Sequence, residues 1–330
     1  MTVLDADGQV WESRKLATEK WELLEFFGKV EKPAAVAVEA TFNGYYFLNV
    51  VEPLGLELHR VHPWKRRAIA SGRIKHDKLD SRVLAELLRT GFLAEAWIAP
   101  RAVREQRQLL RYRVHTVQGA TRAKNCIQAI LNRNGIRTPL RSPFGPQGRE
   151  FLTAVELPGT DRWEVDGQLA RLDLLGQQRA ALDREIRRRG RTSPVAQALE
   201  RIPGSGPFIA LLLVAEIGDI QRFPTAKHLA SYTGLVPSLY ASGEHRWGGA
   251  ITKQGSTVLR WALVQAAHRA AQSARFSTYY QQQRERLGSA KAIVALARKL
   301  AVISFYRWRA VQSSGVHLGW RMVRRPTLRI

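Results

Sequence analysis

The 330-residue sequence has a single cysteine, Cys126, which excludes a disulfide framework and any metal site built from paired cysteines. Its eight histidines are scattered without the spacing of a zinc finger. The longest apolar run, Phe208 to Ala215, is far shorter than the roughly 20 residues of a membrane-spanning helix. Met1 to Asp7 lack the basic segment and apolar core of a signal peptide. We therefore expect a cytoplasmic protein that binds no membrane.

Acidic residues are also few, since 28 Asp and Glu stand against 52 Lys and Arg and leave a formal net charge of +24. Such an excess attracts polyanions and predicts salt-dependent binding of nucleic acid or anionic lipid. Nucleic acid is favoured, because no basic amphipathic segment offers a Trp, Phe or Leu face for membrane insertion. Apolar residues make up 45% of the chain, which fills the cores of about two domains and excludes disorder throughout.

The N-terminal third alternates short apolar runs with helical patterns. Asp7-Gly8 lies between two short runs and is a hairpin signal. The continuous apolar run Ala34 to Val38 predicts one strand, and Gly55 to Val61 predicts another. Leucines at the spacing of one helix face follow from Leu79 to Leu88. A hairpin followed by strands that alternate with helices predicts an α/β domain.

Helical patterns dominate the rest of the chain. One helix is predicted over Arg101 to Asn134, where an Asn-Gly pair ends it. Prolines and glycines from Pro139 to Gly148 indicate a linker, and leucines from Leu169 to Ile186 have the spacing of a helical hairpin or coiled-coil arm. Beyond Pro194 we expect helices broken by glycine turns. The predicted regions are an α/β domain (1–138), a linker and arm (139–194) and a helical domain (195–330).

Three acids could form a metal site. Glu39 follows a buried strand, where a carboxylate projects into the loop layer that hosts many α/β active sites. Asp77 and Asp80 lie one turn apart at the start of the predicted leucine helix, opposite its leucines. In a basic protein these acids are suited to holding magnesium against a phosphodiester, as in nucleases and recombinases. The alternative is structural, with the aspartates favoured by the helix dipole and Glu39 in solvent.

Five basic residues precede the paired aspartates and could guide a nucleic-acid strand into the metal site. They are Lys65, Arg66, Arg67, Arg73 and Lys75. Any single basic cluster could equally be a solvated surface. Because the chain has an excess of 24 positive charges, we do not expect every basic cluster to be only a solvated surface.

A glycine-rich turn begins the helical region. The segment Ile202 to Pro207, followed by an apolar helix, has the pattern of a helix-hairpin-helix. In that motif Gly204 and Gly206 would let the backbone approach a phosphate near the amide groups of a helix N-terminus. A packed helix-turn-helix without a ligand fits the same pattern.

A later segment interleaves small residues with cations. Ser242, which precedes a glycine, could be a nucleophile on a flexible turn. Arg246, Lys253 and Arg260 are available to neutralise a phosphate. The alternative is that the Ser-Gly pair is only a turn.

Several of these motifs recur in order in one family, the transposases of insertion-sequence family one-hundred-and-ten, which the sequence resembles over nearly its whole length. The motifs are Glu39-Ala40-Thr41, His76 to Arg82, Ile202 to Phe223, Gly234 to Pro237, Ser242-Gly243, Lys253 to Gly255 and Leu259-Arg260. The resemblance implies an α/β plus all-α protein. Its N-terminal domain would resemble ribonuclease H and Holliday-junction resolvases, and would be followed by a coiled-coil arm and a C-terminal transposase domain.

The resemblance also assigns roles to residues. The family signature is four acids, Asp-Glu-Asp-Asp, and a serine; Glu39 matches the second acid, Asp77 and Asp80 the third and fourth, and Ser242 the serine. These matches imply that the acids bind Mg²⁺ or Mn²⁺ and that the serine attacks DNA to form a covalent intermediate. The implied partners are the element's DNA ends, target DNA and a structured guide RNA, at a bacterial nucleoid. Joining several DNA segments further predicts a homodimer or homotetramer.

The first acid of the signature has no counterpart. In the family it lies on an opening strand that precedes the segment matching Met1 to Gly8, and that strand is absent here. Asp5 and Asp7 lie in the following hairpin turn and do not replace it. Either the true start lies upstream or the copy is decayed, and a metal site one ligand short predicts weak or no recombinase activity.

Three functions remain open at this point. The leading hypothesis is a DNA recombinase with Glu39, Asp77 and Asp80 as metal ligands and Ser242 as nucleophile. The second is a resolvase-like endonuclease that uses a metal-activated water. The third is an inactive remnant that binds nucleic acid through phosphate contacts alone.

Overall fold

The computed structural model describes residues 1–40, 44–61, 77–242 and 245–314. Within these ranges, the side chains of residues 77–80, 239–242 and 245–246 are not described. The chain divides into two compact units, Met1–Arg101 and Ala102–Ile330. None of the helices in the described ranges is long and apolar enough to cross a membrane.

The first unit is mixed α/β, as the sequence predicts. Its elements in chain order are β1 (Thr2–Leu4), β2 (Val10–Ser13), α1 (Lys20–Gly28), β3 (Ala35–Glu39), α2 (Gly44–Val51), β4 (Glu57–Val61), α3 (Asp77–Arg89) and β5 (Glu95–Ala96). β1 and β2 form the antiparallel hairpin predicted at Asp7-Gly8. β3 and β4 pair in parallel through the α2 crossover, and β5 adds antiparallel to β4.

The core of the first unit lies between the helices and one face of the parallel pair. Phe26 and Phe27 of α1 are buried, and the Phe27 ring packs edge-on against Phe47 of α2. Val36 of β3 and Leu58 of β4 pack against this cluster. Burial of each such side chain stabilises the fold by about 1.5–3 kcal/mol. Since strand residues alternate between faces, the other face of β3 carries its odd-numbered residues.

The described part of the second unit is helical apart from one β-hairpin. Its elements are α4 (Arg101–Arg133), α5 (Pro146–Ala154), α6 (Gly159–Arg191), α7 (Pro194–Glu200), α8 (Pro207–Ile217), α9 (Ala226–Tyr232), β6 (Pro237–Ser242), β7 (His245–Ile251), α10 (Thr257–Ala270), α11 (Ser277–Leu287) and α12 (Ser289–Ser313). The predicted long helix is confirmed as α4, which begins one residue before this unit. Its Leu110 is buried in the main core of this unit, so the helix that the sequence analysis grouped with residues 1–138 packs with the helical region.

The leucines of the predicted arm belong to one long helix, α6, which forms a helical hairpin with α4, a helix outside the predicted arm. Arg113 of α4 pairs with Asp183 of α6 at 3.0 Å, whereas Cys126, farther along α4, bonds to Glu164 near the start of α6. The later residue of α4 therefore contacts the earlier residue of α6, which shows that the two helices are antiparallel. Their shared core includes Ile127 and Val165, both fully buried.

The main core of the second unit surrounds α8. Residues Ala210 to Ile217 are all buried, because α6, α7 and α10 pack around this helix. α12 contributes Leu296 and Leu300, which confirms that the predicted apolar face of this helix is core. A helix buried on every side can carry an almost unbroken apolar sequence, as α8 does.

The β-hairpin corrects the expectation that the chain beyond Pro194 contains only helices and turns. β6 and β7 pair antiparallel from Pro237 with Ile251 to Ser242 with His245. The sequence analysis missed these strands because Gly248-Gly249 interrupts the alternation of side chains in β7. Tyr240 and Trp247, of types favoured in strands, pair directly across the hairpin.

Candidate functional site

The candidate region of the first unit is the end of β3. Glu39 is half-buried and is the last residue of this strand, at the carboxyl end of the parallel pair. The amide of Ala40 donates to the carbonyl of Val61 at 3.1 Å, which extends the pairing one residue farther. By the alternation of the strand, Glu39 lies on the face opposite Val36 and the apolar core. The strand therefore presents a carboxylate at its end, as the sequence predicts.

The two aspartates lie on a helix that packs against this strand. Asp77 begins α3 and Asp80 follows one turn later. α3 packs against β3 and also against β1, where Ser81 Oγ and Thr2 Oγ1 share a hydrogen bond of 2.7 Å. The fold thus brings the helix that carries both aspartates to the strand that ends in Glu39.

Side-chain geometry at these acids is outside the described residues, since the side chains of residues 77–80 are not described. Among the side chains that are described, no group of three His, Cys, Asp or Glu could hold a metal ion. Lys65, Arg66, Arg67, Arg73 and Lys75, the predicted guiding cations, also lie outside the described residues.

The carboxylate of Asp5 has a structural role in the β1–β2 turn. Its Oδ1 atom accepts hydrogen bonds from the amides of Asp7 and Gln9, at 3.0 and 2.8 Å. Both aspartates are exposed. Asp5 therefore serves the turn, in line with the expectation that it does not replace the first acid.

A separate candidate region, within the second unit, is the tip of the β6–β7 hairpin. Ser242 ends β6 and pairs with His245, the first residue of β7. Ser242 is therefore the last residue of a strand, whereas Gly243, the other residue of the expected Ser-Gly turn, lies outside the described residues. Arg246 pairs with Ala241, so the backbone brings Ser242 and Arg246 to the same end of the hairpin.

The base of the hairpin is closed by backbone contacts. The amides of Thr252 and Lys253 donate to the carbonyls of Val236 and Gly234, at 2.9 and 3.2 Å. Gly234 has a φ of +68°, and a Cβ there would lie 2.3 Å from the Gln254 carbonyl oxygen. Lys253 also has a positive φ, +54°, which is uncommon for a residue with a side chain. Only a glycine at position 234 allows these two segments to pack so closely.

The three predicted phosphate-neutralising cations are divided between the two ends of the hairpin. Arg260 donates from Nη1 to the Thr233 carbonyl at 3.4 Å, next to the base. Lys253 follows the end of β7 and is also at the base. Strands advance about 3.4 Å per residue, so the base is roughly 20 Å from Ser242. Of the three, the fold brings only Arg246 to the end that carries the serine.

A buried carboxylate is hydrogen-bonded to Ser256, which follows this hairpin in the chain. Glu216, only 1% exposed, is in the last turn of α8. Arg111 of α4 donates to both of its oxygens, at 2.9 and 3.0 Å. Ser256 donates from Oγ to Oε2 at 2.9 Å and, as the N-cap of α10, accepts from the Leu259 amide at 3.2 Å. Glu216 therefore joins α4, α8 and the start of α10.

Two further arginines cap the end of α8. Arg107 donates to the carbonyls of Ala215 and Glu216, at 2.7 and 2.8 Å. Arg222 donates to the Ile217 carbonyl at 2.9 Å, and burial lowers the pKa of its guanidinium. Cations at a helix C-terminus satisfy its free carbonyls and oppose its dipole.

Sequence reasoning missed the Glu216 network. Glu216 stood out only as the residue that ends the apolar run Phe208 to Ala215. An acid inside an otherwise buried helix must find a charged partner, and that was the available signal. Its partner Arg111 lies 105 positions earlier, so no local pattern identifies it.

The two glycines of the Ile202 to Pro207 turn have different surroundings. Gly204 has a φ of +85°, and a Cβ there would lie 2.1 Å from the Ala266 carbonyl oxygen on α10. Gly206 is the N-cap of α8 and has no atom within 4 Å of its Cβ position. Gly204 therefore serves packing between helices, whereas the space beside Gly206 is open.

Two family models match the chain. A model described as transposase, for the DEDD type of IS110, matches residues 1–135. A second model, described as transposase IS116/IS110/IS902 family, matches residues 196–281. The matched ranges contain β3, α3 and the β6–β7 hairpin.

Similar proteins occur in several bacteria. A transposase for insertion sequence element IS1328 from Yersinia enterocolitica is 27% identical over 288 residues, which cover 83% of each chain. A transposase for insertion sequence element IS1111A from Coxiella burnetii is 25% identical over 282 residues, 82% of this chain and 77% of the relative. A probable family 20 transposase from Pseudomonas aeruginosa is 26% identical over 255 residues, 74% and 73% of the two chains.

Proposed function

Because the chain belongs to the IS116/IS110/IS902 family of transposases, we propose that it recombines the DNA of an insertion element through an acidic metal site and a serine nucleophile. The observation that carries this proposal is the packing of α3 against β3. It supports a site in which Asp77 and Asp80 act together with Glu39. A ribonuclease H-like N-terminal domain is part of the same proposal.

The proposed metal ligands fit a hard divalent cation. Glu39, Asp77 and Asp80 supply carboxylate oxygens, which Mg²⁺ and Mn²⁺ prefer over nitrogen or sulfur donors. Glu39 ends its strand on the face away from the apolar core, where a hydrated ion can approach. When bound, such an ion stabilises negative charge on the oxygens of a phosphodiester.

The proposed nucleophile is Ser242. Its Oγ attacks the phosphorus, a new P–O bond forms to the serine, and the displaced DNA oxygen leaves as a hydroxyl. Attack by another DNA hydroxyl on the same phosphorus then releases the serine and joins the strands. Arg246, at the same end of the hairpin, is placed to neutralise the phosphate, whereas Lys253 and Arg260 would contact nucleic acid nearer the base.

The proposed partners follow from this reaction and from the charge. The element's ends, target DNA and a structured guide RNA are all polyanions, which a net charge of +24 attracts. Holding several DNA segments together calls for a homodimer or homotetramer at the bacterial nucleoid. A strand-exchange assay with and without RNA transcribed from the element's non-coding end tests the guide, and equal exchange in both would contradict it.

The serine is tested by trapping covalent adducts in a single-turnover assay with labelled element-end DNA and Mg²⁺. We expect Ser242→Ala to abolish the labelled protein–DNA adduct. Ser238→Ala is the matched control, because Ser238 lies on the same strand and its hydroxyl donates to the Ala250 carbonyl at 2.8 Å. Undiminished cleavage by Ser242→Ala would contradict the proposal and support an endonuclease that uses water.

The acids are tested separately. Asp77→Asn should abolish Mg²⁺-dependent cleavage without loss of DNA binding. Glu86→Gln, on the same helix, is the control, since Glu86 pairs with Arg89 at the surface. A chain that binds DNA with a steep salt dependence, never cleaves it and is indifferent to both substitutions would be an inactive remnant.

A further inference from the structure

The register of the β6–β7 hairpin places a tryptophan close to the proposed nucleophile. Ser242 is paired with His245 at the tip, and Tyr240 is paired with Trp247. Residues paired directly across antiparallel strands lie on the same face, and so do residues two positions apart along one strand. Ser242 and Trp247 therefore share one face of the hairpin, separated by two residues of strand, or about 7 Å.

The side chain of Trp247 is accessible to a ligand. It is 54% exposed, whereas the same unit buries Trp308 to 1% exposure. The next three residues, Gly248 to Ala250, are also exposed, and none has a side chain larger than a methyl group. No atom of the described residues lies within 4 Å of the Cβ position of Gly248. Glycine inside a strand marks a bulge or a place where a ligand approaches closely, so this stretch of β7 leaves room for a flat ligand.

The sequence around Trp247 favours a polyanion. From His245 to Arg284 the chain has one lysine and five arginines but no aspartate or glutamate. An aromatic side chain among cations is typical of surfaces that bind single-stranded nucleic acid, because bases stack on the ring while the cations attract phosphates. The ligand that fits this surface is therefore a nucleic-acid strand.

Trp247 also has a structural explanation. Aromatic side chains at directly paired positions stabilise antiparallel strands, and Tyr240 is the paired position of Trp247. That role would be the same with and without DNA. The two explanations therefore make different predictions for a nucleobase bound near Ser242.

We infer that the indole ring of Trp247 stacks on a nucleobase that flanks the phosphate attacked by Ser242. This inference rests on the proposed function, because it takes Ser242 as the attacking residue. The separation of about 7 Å along the strand is comparable to the distance from the phosphate to the base within one nucleotide. The base must leave the duplex stack to expose its face to the ring. Because every base has such a face, the contact holds the strand in position without reading its sequence.

The first test is photocrosslinking with 5-iododeoxyuridine, a base analogue that links under ultraviolet light to an aromatic side chain stacked on it. The analogue is placed at successive positions of element-end DNA. The full-length chain is added without divalent metal, so that the DNA stays uncleaved. We expect a crosslink at one or two adjacent positions to the tryptic peptide Trp247 to Lys253, in which Trp247 is the only aromatic residue.

Three variants identify the ring as the cause. Trp247→Val should abolish this crosslink and weaken DNA binding by roughly fivefold or more, because valine favours a strand but has no ring. Trp247→Tyr keeps a ring and should retain both the crosslink and the affinity. Trp11→Val is the matched control, since Trp11 is 67% exposed on β2, and it should change neither. Circular dichroism checks the fold of each variant.

The second test compares adduct formation with Mg²⁺ on paired and mismatched DNA. A mismatch at the crosslinked nucleotide removes the base pairing that holds the base in the duplex. Trp247→Val should therefore slow formation of the covalent adduct several-fold on fully paired DNA and much less on mismatched DNA. A hairpin that was only destabilised would lose the same factor on both substrates.

Three results would overturn the inference. They are a chain that gives no crosslink in the Trp247 peptide, equal losses of DNA binding in Trp247→Val and Trp11→Val, and equal slowing on paired and mismatched DNA. A crosslink of Trp247 to an RNA strand but not to DNA would also overturn it and would identify a contact with RNA.

The crosslink is measured without cleavage, so it does not depend on the identity of the nucleophile. Crosslinking through Trp247 in a chain that forms adducts without Ser242 would contradict the proposed nucleophile and leave the stacking contact intact. A Ser242-dependent adduct without the crosslink would overturn the stacking contact alone.

Discussion

Ser256 and Glu216 are joined by a 2.9 Å hydrogen bond, in which the serine hydroxyl donates to a carboxylate that is only 1% exposed. The two residues lie 40 positions apart and end different helices, since Glu216 is in the last turn of α8 and Ser256 caps the start of α10. The segment that closes the β6–β7 hairpin, Thr252 to Gly255, leads directly into Ser256. The bond therefore fixes the point from which the hairpin projects.

Removal of the buried carboxylate should destabilise the second unit. We expect Glu216→Ala to lower the free energy of unfolding by about 2–3 kcal/mol, because it leaves Arg111 and Ser256 without their acceptor. The cost falls below the roughly 3–5 kcal/mol of a fully buried pair, since the Arg111 side chain is 43% exposed. Urea denaturation measures it, with Glu285→Ala, an exposed acid on α11, as the control. Equal midpoints for the two variants would contradict the structural role of Glu216.

The two glycines of the Ile202 to Pro207 turn should respond differently to alanine. Gly204→Ala should cost more than about 2 kcal/mol, because its positive φ is strained for alanine and the methyl group would meet the Ala266 carbonyl. Gly206→Ala should change stability by less than about 0.5 kcal/mol, because its φ of −77° suits alanine and the space is open. Thermal unfolding of both variants tests the contrast.

The same pair of variants bears on nucleic-acid binding. If the amide groups at the start of α8 approach a phosphate, Gly206→Ala should weaken DNA binding while stability is retained. Unaltered binding by a folded Gly206→Ala chain would favour the packed turn without a ligand.

The pKa of Glu185 on α6 should be far below its ordinary value. Hydrogen bonds from Arg188 and then Arg189 lower the pKa of this carboxyl from 4.5 to about 2. A lowered folded-state pKa stabilises the folded chain above pH 4.5, and this stabilisation is lost as the pH falls to about 2. Carboxyl-carbon NMR should follow the titration, and the double substitution Arg188→Ala with Arg189→Ala should return the pKa toward 4.5. Arg187→Ala is the control, and an equal rise with it would refute the assignment.

The lone thiol should react slowly with alkylating reagents. The hydrogen bond of 2.9 Å from Cys126 Sγ to Glu164, together with burial, raises the pKa of this thiol above 9.0. Because the thiolate is the reactive form, Glu164→Gln should lower the pKa and accelerate alkylation by iodoacetamide several-fold at mildly alkaline pH. Glu156→Gln, which changes an exposed acid between α5 and α6, should leave the rate unchanged, and equal rates for the two variants would contradict this cause.

Local sequence patterns predicted much of the fold. The Asp7-Gly8 hairpin, the strand ending in Glu39 and the long helix from Arg101 are in the structure, because turn residues and apolar periodicity act over short distances. The β6–β7 hairpin was missed, because its paired glycines break the alternation that marks a strand. The sequence therefore predicted a turn at Ser242, but it did not predict that Ser242 ends a strand at the tip of a hairpin.

Contacts between distant segments decided the rest. The sequence by itself determined the basic charge, the order of the motifs and the acids that could serve as ligands, since these depend only on residue type and spacing. Only the tertiary structure packed α3 against β3, placed Arg260 at the base of the hairpin and joined Glu216 to Arg111 and Ser256. Such pairings depend on how helices and strands fold back on one another, because a buried polar group takes its partner from whichever segment packs beside it.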